Sequence, residues 1–298
     1  MSILEFLPAL VGYILCILTI IHAFKDAQKN RVQRLLMLLT LFFFGTFLEF
    51  FGVATGNYFY AKEYFMLFGI VPLSVTLAWV AIIYSVMIIG ERLNLSIWHR
   101  VLVTTLIALS LDWGMDPIAV EIGAWTWIFK GGDYFGIPGF NFIGWFFISI
   151  SYLIPYCLSW NKESKRPQLL TIKDIDNDDS WIRKLYTIFV VVPIGAGILI
   201  IVGLITRNPI IYDTPLIILV IWAIFTVFFA TGTILWKRET LKRVKWFDLI
   251  PPIVLVYIGL NYALFGFIIG RSDLGFLMLL FGLPFWLALI FTLRKRRK

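Results

Sequence analysis

At 60% hydrophobic, 17% aromatic and only 15% charged over 298 residues, this chain carries more apolar surface than a water-soluble fold of its size can bury. The formal net charge of +8 would suit a nucleic-acid binder, but the basic residues fall between the apolar runs, where they act as a topology signal. A soluble enzyme and a nucleic-acid protein are both excluded.

Each bilayer span needs roughly 20 apolar residues, and the hydropathy pattern predicts about nine of them, over 3–24, 35–53, 69–90, 100–117, 140–160, 186–206, 214–236, 249–270 and 274–293. The fold class expected is an all-α, polytopic membrane helix bundle forming one integral domain over 1–298, multi-pass in the cell membrane. The first run starts at Ile3 with no basic stretch before it, so it reads as a retained helix and not a cleaved leader. Cys16 and Cys157 both lie in apolar runs and read as small buried hydrophobes. Alternate connections hold 22 of the 26 Lys and Arg residues, and the opposite set holds only Lys62, Lys130, Arg207 and Arg271. By the positive-inside rule the N-terminus is outside and the C-terminal tail inside.

This topology puts three carboxylates in the outer half. Glu49 lies near the outer end of the second run, and Asp112 and Asp116 near that of the fourth, which is expected to stop before Pro117. An ionisable residue inside a hydrocarbon span is expensive and is read first as a functional site. Asp112 and Asp116 are four apart, so they share a helix face one turn apart. Two carboxylates so close in a low dielectric cannot both ionise cheaply, and at least one is expected to keep its proton, as a general acid requires. The alternative is that the acids cap or pair with neighbouring helices.

Segment 118–139 is too aromatic and glycine-rich for a solvated loop; it reads as a lid or as an interfacial belt carrying Trp125 and Trp127. Asn141 opens the fifth run, where it caps the helix or orients a water. The same layer holds Tyr58, Tyr60, Trp79, Tyr134, Phe140, Phe142 and Trp145, a set of rings able to surround a cation or simply to pack. Asp174, Asp176, Asp178 and Asp179 alternate like a calcium loop but lack its glycine and terminal Glu. The two histidines, His22 and His99, sit at the inner ends without ligands at metal spacing. No metal or organic cofactor is expected. Gly45/Gly52 and Gly259/Gly266 share a spacing and read as close-packing positions.

The stretches FLEFFGVATGNYFY (47–60), VPLSVTLAW (71–79), LDWGMDPIAVEIGAWTW (111–127) and GGDYFGIPGFNFIGWF (131–146) resemble the membrane carotenoid-biosynthesis hydratases, the family that includes bisanhydrobacterioruberin hydratase and the γ-carotene hydratases. The resemblance covers the first half in sequence and the remainder only in length and hydropathy. It implies a lyase that adds water to the terminal isopropylidene bond of a long acyclic carotenoid, with water and membrane lipid as its other partners. The residues suit that chemistry: Asp112 or Asp116 as acid, Glu49 or the other aspartate positioning water, and Tyr58, Tyr60, Trp79, Trp125, Trp127, Tyr134, Asn141 and Trp145 around the substrate.

Two other readings stand beside it. Asp-x3-Asp also occurs in prenyltransferases, where magnesium binds a diphosphate, but the outer side has few basic residues to help. A non-enzymatic carrier could use the acids as a proton relay. The charge split itself predicts that a reporter fused after Lys298 is active in the cytoplasm and one fused before Met1 only outside. A cytoplasmic N-terminus would overturn the depth assigned to the acids.

Overall fold

The computed structural model describes residues 3–26, 31–63, 65–128, 134–160, 214–242 and 245–294. It is mostly helical: α1 (Ile3–Asp26), α2 (Arg31–Ala54), α3 (Leu73–Arg92), α4 (Ile97–Glu121), α5 (Gly139–Trp160), α6 (Leu216–Trp236), the short α7 (Arg238–Leu241), α8 (Ile250–Ile268), α9 (Ser272–Phe281) and α10 (Leu283–Leu293). Among the described residues five helices are long and apolar enough to cross a membrane. The expected last span is instead two helices, α9 and α10, bent by 51°; taken as one broken span they make a sixth. The span expected at 186–206 and the acidic loop before it lie outside the described residues.

Helix α4 is the axis. It packs on α3, α5, α6, α8 and α9, and Val103–Ala119 is buried throughout. Gly114, between the two aspartates, lets α9 close in: a Cβ there would stand 2.9 Å from Met278 Cα. The outward faces are lipid-like, with Phe43, Ile221, Phe228 and Phe276 all exposed. No water-soluble fold would spend large side chains so freely.

The helices are not the whole architecture. The expected helix start at residue 69 gives way to a hairpin, β2 (Met66–Leu67) and β3 (Val71–Pro72), and α3 begins only at Leu73. The reason is local: Phe68 and Gly69 both take positive φ and turn the chain back on itself. A second ribbon pairs β1 (Tyr58–Tyr60) with β4 (Trp125–Trp127), in the register Tyr58↔Trp127 and Tyr60↔Trp125. Its origin is two matching helix ends. After α2, Gly56 turns at φ +74° and Asn57 N–H bonds back to the Gly52 carbonyl; after α4, Gly123 turns at φ +75° and Ala124 N–H bonds back to Ala119. The left-handed glycine terminates each helix and releases both strands at the same end of the bundle.

At the opposite end the charges gather. Arg34, buried, donates to both Glu91 oxygens (3.0 and 2.6 Å) and to Asp26 (3.1 Å), and Arg92 meets Asp248 at 2.7 Å. His22 and Tyr84 share a 2.8 Å hydrogen bond. These contacts fasten α1, α2, α3 and the turn before α8 together. Breaking a buried pair on one side leaves a charge unpaired, which is why the network is fully matched.

Helix α4 also corrects an expectation. It does not stop before Pro117 but runs on to Glu121. Proline leaves the carbonyl four residues earlier without its helical donor, and that carbonyl, on Trp113, accepts the Tyr134 hydroxyl at 2.9 Å. An outside donor thus replaces the missing N–H and the helix continues. Burial, then Asp112 and Asp116, push the Tyr134 phenol up, so it stays a donor. Tyr134→Phe is expected to lower stability by about 1–2 kcal/mol, and by less in a Pro117→Ala background, where the helix supplies its own N–H. Unfolding of the four variants in mixed micelles measures the coupling; additive losses would refute the substitution of donors.

Candidate active site

The ribbon β1–β4 covers a cavity of about 180 Å³ between α2, α3, α4, α5 and α8. One water needs roughly a tenth of that space, so a chain end and a water fit together. Its walls include Glu49, Asp116, Asn141, Tyr58, Tyr60, Trp79, Trp125, Trp127, Trp145 and Tyr262, with no Lys, Arg or His among the described residues that line it. Alternation in the strands does the aiming: Tyr58, Tyr60, Trp125 and Trp127 face inward, while Phe59 and Thr126 point away and are exposed.

Glu49 is held by three neutral donors, two from β1 and one from α3. Tyr58 Oη (2.6 Å) and Tyr60 Oη (2.5 Å) donate to Oε2, and Trp79 Nε1 donates to Oε1. A carboxylate has about four acceptor positions, so one on Oε1 is left. Burial, then Glu49, push both phenols far above the usual tyrosine range, which keeps their protons on at neutral pH. Trp79 in turn stacks on Trp145 with centroids 4.1 Å apart.

The aspartates form a second group. Asn141 Nδ2 donates to Asp112 Oδ2 at 3.0 Å and to Asp116 Oδ2 at 2.7 Å. Its side chain therefore joins the acids instead of capping α5. Asp116 lines the cavity; Asp112 is fully buried behind it, and its Oδ1 has no hydrogen-bond partner among the described residues. Tyr134 is placed outside the cavity, braced on Trp113. Trp113 itself, sandwiched on Phe142 at 3.6 Å, fixes the turn of helix between the two acids. Among the described residues no three His, Cys, Asp or Glu side chains form a group suited to a metal ion.

Two glycines read from the sequence only as close-packing positions, without a link to Glu49, explain the arrangement. Gly45 and Gly52 lie four before and three after Glu49, on its own helix face. A Cβ on Gly52 would overlap the Tyr58 hydroxyl, and one on Gly45 would lie 3.0 Å from Trp79 Cβ. Both glycines make room for donors of Glu49, so the spacing was the available signal. Tyr262, far away in sequence, had none. Gly52→Ala is expected to displace Tyr58 and to cost about as much as Tyr58→Phe, about 1–3 kcal/mol for a hydrogen bond to a buried charged group. The double variant should then lose less than the sum. Thermal unfolding of the three variants tests this; strict additivity would mean that Gly52 serves something other than Tyr58.

Comparison with known proteins places these residues in a family. No curated protein and no solved structure gives a significant match. Residues 9–206, about two thirds of the chain and including both carboxylate groups, match the family of carotenoid biosynthesis proteins. The chain belongs to the carotenoid biosynthesis protein family, and its place is as a membrane protein in the making of carotenoids.

Proposed function

We propose that the protein is a carotenoid hydratase, a hydro-lyase that adds water to the terminal isopropylidene double bond of an acyclic carotenoid to give a tertiary alcohol. The observation that carries this reading is the opposition, across one aromatic cavity without a cation, of an amide-bridged aspartate pair and a glutamate saturated by neutral donors.

An isolated alkene is a very weak base, so the first step needs a strong acid in a dry site. Asp116, which faces the cavity, gives its proton to the CH carbon of the double bond, and the cation forms on the dimethyl carbon. Asp112 shares Asn141 with Asp116 and keeps a proton on the pair, because two adjacent carboxylates in a low dielectric do not both ionise. The aromatic walls face the cation; a desolvated cation over one ring gains about 2 kcal/mol. Water bound at the remaining acceptor position of Glu49 Oε1 then attacks, and its proton passes to Glu49. Return of that proton from Glu49 to Asp116 completes the cycle: alkene plus water becomes alcohol, with no net proton consumed.

The prenyltransferase reading fares worse, since a diphosphate would meet Glu49 and Asp116 with no basic side chain among the described lining residues. The same proposal includes a multi-pass, nine-span arrangement in the cell membrane with the N-terminus outside and a bacterioruberin-type or γ-carotene-type substrate. The separation of the acids from the Arg34 and Arg92 cluster, at opposite ends of the bundle, supports that orientation.

Asp116→Asn keeps the shape and loses the proton, and it is expected to lower turnover by about 10²–10⁴-fold; Asp112→Asn should lower it too, through the pair. Purified variants in liposomes, given an acyclic C40 or C50 carotenoid, are assayed for a product heavier by one water. Wild-type rates in Asp116→Asn would remove it as the acid.

A further inference from the structure

The donors nearest the carboxylates are already engaged. Tyr58, Tyr60 and Trp79 serve Glu49, and Asn141 serves the aspartates. The Nε1–H groups of Trp113 and Trp127 are both buried with no hydrogen-bond partner among the described residues, and of the two only Trp127 lines the cavity. A buried, unpaired donor is rare enough in proteins to need a reason. Its position is fixed, since Trp127 is the cross-strand partner of Tyr58 and their rings meet edge to face at 4.9 Å, with Phe140 on another side at 5.3 Å. The indole ring therefore stands beside the tyrosine that holds the Glu49 carboxylate.

We infer that Trp127 Nε1–H is a binding site for a neutral hydroxyl oxygen: the reacting water before the chemical step and the tertiary alcohol after it. Indole N–H can only donate, so its ligand must bring an acceptor, and a hydrocarbon chain end brings none. An anionic acceptor is disfavoured beside Glu49 and Asp116. Water or an alcohol remains. Such an oxygen accepts from Trp127, donates to the spare position on Glu49 Oε1, and keeps a lone pair for carbon. Tyr262, whose phenol lines the same cavity with no hydrogen bond to a described residue, is a second partner. The site rests on the hydratase reading for the identity of the alcohol, but its existence can be tested without turnover.

The experiment uses the full chain in lipid nanodiscs and two probes of one carbon skeleton, the tertiary alcohol dimethylheptanol and the alkene dimethylheptene. Nitrogen–proton NMR follows the Trp127 indole signal, assigned by its loss in Trp127→Phe. The alcohol should move the indole proton downfield and the alkene should not. Replacing Trp127 by benzothienylalanine keeps the bicyclic ring and exchanges only N–H for sulfur. This should weaken alcohol binding about fivefold, the worth of one net hydrogen bond, and leave the alkene unchanged. An indole signal indifferent to the alcohol, or undiminished alcohol affinity in the sulfur variant, overturns the inference. Wild-type protein that binds the alcohol through Trp127 yet hydrates no carotenoid would uphold this site and remove the hydratase reading.

Discussion

A carboxylate buried between membrane helices with no cation beside it must be surrounded by neutral donors, and much of this molecule follows from meeting that demand at Glu49. Helix α2 cannot supply the donors itself, because its backbone N–H groups are used within the helix. They come from a strand and a neighbouring helix, which must approach closely. Two glycines on the Glu49 face allow the approach. A left-handed glycine at the end of α2 turns the chain so that Tyr58 and Tyr60 come back over the acid they bind. The ribbon that closes the cavity is thus a consequence of satisfying one buried carboxyl group without water.

The aspartate pair solves the same problem differently. It has a single amide between two carboxyl groups, and of its four oxygens only the two Oδ2 atoms have a described partner. Three donors suit a group that stays charged; one shared donor suits a pair that holds a proton between its members. The two groups therefore differ in solvation, not in residue type, and in the proposed mechanism this difference is what divides acid from base. The charged cluster at the other end of the bundle follows ordinary rules of pairing, with Arg34 and Arg92 each matched to carboxylates.

Much of the site was legible as residue types at depths. The spacing of Asp112 and Asp116, and the shared level of Glu49 and the aromatic residues at one end of the bundle, could be read from helix periodicity and hydropathy. What could not be read was partner choice. Three-residue strands leave too little alternation to be recognised, so the pairing of Tyr58 with Trp127 was hidden. Pro117 was taken as a helix end because local rules do not include a donor from Tyr134, beyond the next turn of chain. Asn141 was ambiguous between capping and orienting, and only the position of α4 against α5 decides it. Tyr262 enters from α8 because glycine contacts between α8 and α9, Gly266 on Gly275, and between α4 and α9, Gly114 on Met278, draw the three helices together.

That last set of contacts gives the second half of the chain its part. The family match reaches residue 206 and already contains every carboxylate of the site, but for the proposed hydration acids alone do not make a proton donor strong enough for an alkene. The donor must also be kept from water, because an exposed carboxyl group simply ionises. Helices α6, α8 and α9 pack around α4 and leave Asp112 with no exposed surface and Asp116 with 3%. Close contact at Gly114 seats Met278 of α9 against the turn of helix between the two acids. In the proposed mechanism, chemistry placed by the first five helices thus depends on dryness supplied by the later ones, and the central position of α4 is what connects the two.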